Sequence, residues 1–181
     1  MRLSRKQDVT LKPAMLRAKA LAAGKIRASL NVSVFALDSS LPAETLAGFL
    51  QAQFQELSLS SQVRAAGPER VQAALTGHFT KADVLVVLGD TSAKAEPALM
   101  DLVQWLLLNG QTNLAENLLY AQLGSAKSGT VAPVFERVIL PLDFAERVQQ
   151  SGRRFPWAAS SHEQWALADA VLTYATGLAA E

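Results

Sequence analysis

Three short polar segments follow apolar runs in this chain, and their residue types suit ligand binding more than packing. The first is Asp38-Ser39-Ser40-Leu41-Pro42, after Val32-Ser33-Val34-Phe35-Ala36-Leu37. The second is Gly89-Asp90-Thr91-Ser92, after Asp83 and the apolar run Val84-Leu85-Val86-Val87-Leu88. The third is Gly124-Ser125-Ala126-Lys127-Ser128-Gly129, after Leu118-Leu119-Tyr120-Ala121-Gln122-Leu123. In an open α/β sheet, ligands bind where loops leave the carboxyl ends of the strands. A site in this chain should therefore include Gly89 to Ser92. Asp38 and Asp90 also suit ordinary loop and capping roles, because Asp is common in such turns.

Other chemistries lack their residues. There is no cysteine, which removes disulfides, thiolate metal sites and a cysteine nucleophile. The two histidines, His78 and His162, have no histidine or cysteine cluster around them and read as structural or solvated. Neither Gly-x-Gly-x-x-Gly nor a P-loop motif is present. Arg153-Arg154-Phe155-Pro156-Trp157 has the residues to contact an anion or stack on a ring; its simpler role is a surface loop whose aromatics anchor on the core.

The elements that must position these loops come next. A chain of 181 residues, half of them hydrophobic, has the size and apolar content of one domain. Net charge is +1, but residues 1–27 carry +7 and the remainder −6. We divide the chain into a basic N-terminal arm and helix, residues 1–25, and an α/β domain, residues 26–181. Such an arm suits an acidic partner, or is a solvated helix beside its own acidic body. No apolar run reaches the roughly 18 residues of a membrane span, and the N-terminus lacks a signal-peptide core. The expected location is cytoplasmic, without membrane contact.

Leu11 to Ala23 reads as a helix with Pro13 in its first turn. The first strand centres on 32–37. Pro42 opens a helix to about Glu56, with Ser40 as its expected cap and Leu46, Phe49, Leu50 and Phe54 inward. Residues 61–65 form a short strand and 69–79 a helix. Val84 to Leu88 has the valine-rich pattern of a strand buried on both faces. A helix follows from about Pro97 to Leu108. Residues 114–123 fit a helix or a strand at 118–123, and the small exit loop favours the strand. Residues 130–137 read as a short helix, 138–140 as a fifth strand and 144–150 as helical. The last helix starts at two overlapping capping boxes, Ser160 with Glu163 and Ser161 with Gln164. Leu167, Ala170, Val171, Tyr174 and Leu178 line one side, with Trp165 and Leu172 on a second stripe. Strands alternating with helices imply right-handed crossovers and a parallel sheet.

Ala82-Asp83, the loop from Gly89 to Ala95 and the Pro97-Ala98-Leu99 helix opening resemble the flavodoxin-like NAD(P)H-dependent FMN reductases. Residues 131–143, a long loop and a final helix are similar to that family's tail. The resemblance implies a three-layer sandwich with a flavodoxin-like five-stranded parallel sheet in order 2-1-3-4-5, to which the N-terminal helix is an extra element, and an FMN phosphate near Ser39, Ser40 and Thr45. It implies a flavin ring against Gly89, Asp90, Thr91 and Ser92 and against Gly124 and Ser125. Two departures accompany it. Asp38 and Glu44 bring negative charge to the phosphate loop, and Asp90-Thr91-Ser92 stands where the family has Pro-x-Tyr. Residues 30–150 also resemble a receiver domain, with Asp38 and Asp90 across the switch point as magnesium ligands; Leu140-Pro141-Leu142 stands where that family has its lysine.

Two functions follow. One is a divergent flavin-binding oxidoreductase with FMN as cofactor and NAD(P)H as partner. The other is a non-catalytic flavodoxin-like or pseudo-receiver subunit acting through protein–protein contacts. Trp105, Leu106, Leu107 and Leu108 are more apolar surface than one helix face can bury, so a homodimer or hetero-oligomer is expected there.

Overall fold

The computed structural model describes residues 30–57, 59–67, 82–124, 136–151 and 161–176. The expected helices at 11–23 and 69–79, the segment 125–135 with Ser125, and the loop 152–160 lie outside those residues, as does the basic arm.

Five strands form one sheet: β1 (Leu30–Ala36), β2 (Ser61–Ala66), β3 (Val84–Gly89), β4 (Leu118–Leu123) and β5 (Glu136–Leu140). All neighbours pair in parallel, in the order β2-β1-β3-β4-β5. This is the flavodoxin-like order that was expected, with the parallel pairing that the alternation of strands and helices implied. β3 and β4 are buried at every position, as central parallel strands covered on both faces must be. The helices are α1 (Ala43–Glu56), α2 (Ala95–Leu108), α3 (Thr112–Glu116), α4 (Phe144–Ser151) and α5 (Ser161–Thr176).

Strand alternation divides the core in two. Val32, Val34, Val84, Val86, Leu119 and Ala121 point to one face, where Leu46, Leu50 and Phe54 of α1, Phe144 of α4 and Leu167, Val171 and Leu172 of α5 cover them. Phe49 and Phe144 meet edge to face at 5.2 Å between ring centroids and tie α4 to α1. Phe35, Leu85, Val87, Leu118 and Tyr120 point to the other face, under Leu99, Leu102 and Leu106 of α2 and Leu114 of α3.

Residues 118–123 form strand β4, the favoured reading of 114–123, and the helix there is confined to the five residues Thr112–Glu116. Glu136 and Arg137, expected at the end of a short helix, open strand β5 instead. The N-terminal neighbour of α1 is Pro42, and no side chain caps the helix. Ser40 does not take the expected capping role. At the end of the strand order, Gln51 of α1 acts on β2. Its Nε2 donates to the Ser61 carbonyl at 3.1 Å, and its Oε1 accepts the Val63 N–H at 3.0 Å.

Candidate functional site at the carboxyl edge of the sheet

The strand order sets β1, β3 and β4 side by side, so their exit loops share one edge of the sheet. The Leu37 N–H donates to the Leu88 carbonyl at 3.0 Å, which carries the β1–β3 pairing past the end of β1. At β4, the Gly124 N–H donates to the Leu140 carbonyl at 2.8 Å. Ser39, Ser40, Gly89, Asp90, Thr91, Ser92 and Gly124 therefore lie along that edge. Thr45 joins them from the first turn of α1.

A cavity of about 400 Å³ opens beside the head of α1, between the ends of β1 and β2. Its polar lining is Ser39, Glu44 and Thr45, and its apolar walls include Ala36, Leu41, Ala65 and Ala66. Pro42 has no N–H, the Ala43 N–H goes to the Leu41 carbonyl, and the Leu46 N–H returns to Pro42. The Glu44 and Thr45 amides therefore stand at the head of a 14-residue helix without a side-chain cap. The positive end of the helix dipole points the same way, which suits an anion. The Glu44 carboxylate opposes one, but its side chain is exposed.

Ser40 is not part of this lining. Its N–H donates to Asp38 Oδ1 at 2.9 Å, and its hydroxyl donates to the same carboxylate. The amide bond first, and the hydroxyl bond second, hold the Asp38 carboxyl below the usual carboxylate range. Lys94, in the loop before α2, adds its positive charge to that effect. The first loop's acid is exposed, and one of its oxygens is taken up by its own loop.

The second loop is built the same way. The Ser92 N–H donates to Asp90 Oδ1 at 2.9 Å. From below, the buried Tyr120 hydroxyl donates to the Asp90 carbonyl at 3.0 Å. Burial first, and the Asp90 charge second, push the Tyr120 phenol up to about 12, against an opposing pull from Arg137. Buried Gln122 donates from Nε2 to the Gly124 carbonyl at 2.8 Å and accepts from Arg137 Nη1 at 3.2 Å. Gly124 has φ +87°, the region that favours glycine, and a Cβ there would come within 2.9 Å of Leu142 Cδ2. Leu142 itself is 77 % exposed beside the loop.

Four residues of this edge were hidden in the sequence: Lys94, Tyr120, Gln122 and Arg137. The one available signal was Tyr120 and Gln122, two polar side chains on one face of an otherwise apolar strand. Asp38 and Asp90 each give an oxygen to an amide of their own loop. Among the described residues no group of three or more histidine or acidic side chains gathers as a metal site. Among the same residues, no helix is long and apolar enough to cross a membrane. Compared with known proteins, the chain matches no family model, no curated protein and no solved structure, so its function must be argued from the chemistry of this edge.

Proposed function

We propose that the domain binds flavin mononucleotide and works as a divergent NAD(P)H-dependent oxidoreductase. The cavity at the uncapped head of α1 carries this reading. Ser39 and Thr45 supply hydroxyls and the Glu44 and Thr45 amides supply N–H donors, the set a phosphate monoester takes. Lys94 adds positive charge toward Asp38, and Glu44 is exposed enough to turn to water. These features make the donor set compatible with the phosphate end. The flavin ring would lie along Gly89 to Ser92 and Gly124, the exit loops of the next two strands. The bound flavin would supply hydride chemistry. The chain's own residues would hold the phosphate, orient the ring and exclude water from one side.

Titration of the purified protein with FMN, followed by flavin fluorescence, tests this. Binding at micromolar concentration is expected. Ser39→Ala and Thr45→Ala should each weaken it about tenfold, the loss of one hydrogen bond to a charged group. A protein that leaves FMN fluorescence unchanged overturns the reading.

The outer surface of α2 favours a second reading, a non-catalytic subunit. Met100, Leu107 and Leu108 are 47 %, 51 % and 78 % exposed on one helix. A homodimer or hetero-oligomer would cover them, and the basic arm would then meet an acidic partner. Activity with NAD(P)H separates the two readings.

A further inference from the structure

Strand β4 is buried at every position, yet it carries Tyr120 and Gln122 two residues apart on one face. Neither group spends its hydrogen bond within the core. Tyr120 donates to the Asp90 carbonyl in the loop after β3. Gln122 donates to the Gly124 carbonyl just after β4, and Arg137 of β5 holds Gln122 from the other side. A leucine at either place would fill the core without a polar atom to satisfy. The polar choice is explained by what the groups reach: the two exit loops that flank the β3–β4 pair.

The loop after β3 is then fixed twice. The Asp90 carboxylate closes the turn onto the Ser92 N–H, and the Asp90 carbonyl is tied down to Tyr120. Gly89 makes this possible, because any Cβ there would strike the phenol. No hydrogen bond joins Tyr120 to the cavity lining of Ser39, Glu44 and Thr45. Its reach is confined to the second loop.

We propose that Tyr120 is a positioning residue, which holds the Asp90–Ser92 turn in its binding shape before any ligand arrives. This rests on the reading that a flavin ring meets that turn. A preformed loop spares the ligand the entropy of ordering it. Loss of the phenolic hydroxyl therefore weakens a ligand that spans both loops, and spares one that touches the α1 head alone.

Tyr120→Phe keeps the ring against Gly89 and removes only the donor. Three measurements on the full chain decide the matter. In the ligand-free protein, amide hydrogen exchange over 90–94 should speed several-fold, while exchange over β1 stays unchanged. FMN binding should weaken about tenfold, and binding of inorganic phosphate should stay within twofold of wild type. A Tyr120→Phe protein with unchanged exchange over 90–94, or with FMN and phosphate weakened alike, overturns the proposal. Should wild type bind neither ligand, the flavin reading fails, and the exchange measurement alone decides the positioning role. If Tyr120→Phe does not fold, Gly89→Ala displaces the phenol from the opposite side and should speed the same local exchange; no change over 90–94 overturns the proposal.

Discussion

The phenol of Tyr120 occupies the space that a side chain at Gly89 would fill. A Cβ on Gly89 would lie 2.7 Å from Tyr120 Cε2 and Cζ and closer still to the hydroxyl. Both residues are buried, so neither can relax toward water. Gly89→Ala should cost about 1–3 kcal/mol of stability, the usual price of overpacking. Urea denaturation followed by tryptophan fluorescence measures it; a loss below about 0.5 kcal/mol would mean the ring moves aside freely.

Alkaline pH should loosen the fold through the same tyrosine. Its phenol titrates at about 12 in the folded protein and near 10 when unfolded. The unfolded chain therefore gives up its proton first as pH rises. The stability from the neutral phenol is complete below pH about 10 and is lost between there and about 12. The slope should reach at most about 1.4 kcal/mol per pH unit. Tyr174, raised by burial and by Glu136, adds in the same direction. Midpoints of denaturation from pH 9 to 11 should fall for wild type and fall less for Tyr120→Phe.

Phe144 is fully buried at the start of α4 and packs edge to face on Phe49. Phe144→Ala leaves a ring-sized hole between α4 and α1. The expected loss is about 3–5 kcal/mol, read from thermal or urea unfolding.

Among the described residues, Glu44 is the one acid that lines the cavity. Glu44→Gln keeps the helix start and removes a charge that repels phosphate. Calorimetry with inorganic phosphate or FMN should show tighter binding, by about threefold to tenfold, and the gain should shrink in high salt. Weaker binding would indicate that the carboxylate accepts a hydrogen bond from the ligand.

Leu107 and Leu108 project from the carboxyl-terminal end of α2, whereas Leu106 is fully buried. If this surface joins copies of the chain, sedimentation of wild type should show a dimer at high concentration. Leu107→Lys with Leu108→Lys should sediment as a monomer of unchanged melting temperature. A wild-type monomer at the highest concentration would remove the interface.

The parts of the fold that were legible in the sequence are those where one local pattern decides. Five apolar residues from Val84 to Leu88 can only be covered on both faces, and the spacing of Leu46, Phe49, Leu50 and Phe54 admits only a helix. All four of those side chains are buried. Glu136 and Arg137 were misread because β5 is an edge strand, whose solvated side carries polar residues at no cost. Residues 114–123 looked ambiguous because a five-residue helix and a strand follow one another across Asn117. The candidate loops were legible as loops. Their internal chemistry was not, since Tyr120 meets Asp90 across 30 positions. Nothing local in either segment announces its partner. Ser40 shows the converse: its type suited a helix cap, but a carboxylate two residues away captures both of its donors.

Gln51 has a consequence for how the chain behaves in company. The Ser60 carbonyl, just before β2, accepts from Leu30 of β1, so Ser61 and Val63 turn their backbone groups away from β1. Those are the groups that the Gln51 carboxamide engages, donor to acceptor and acceptor to donor. One side chain thus stands in for a neighbouring strand. A foreign β-segment adding itself to this border would have to displace that side chain first, the kind of obstacle that blunts edge-to-edge pairing.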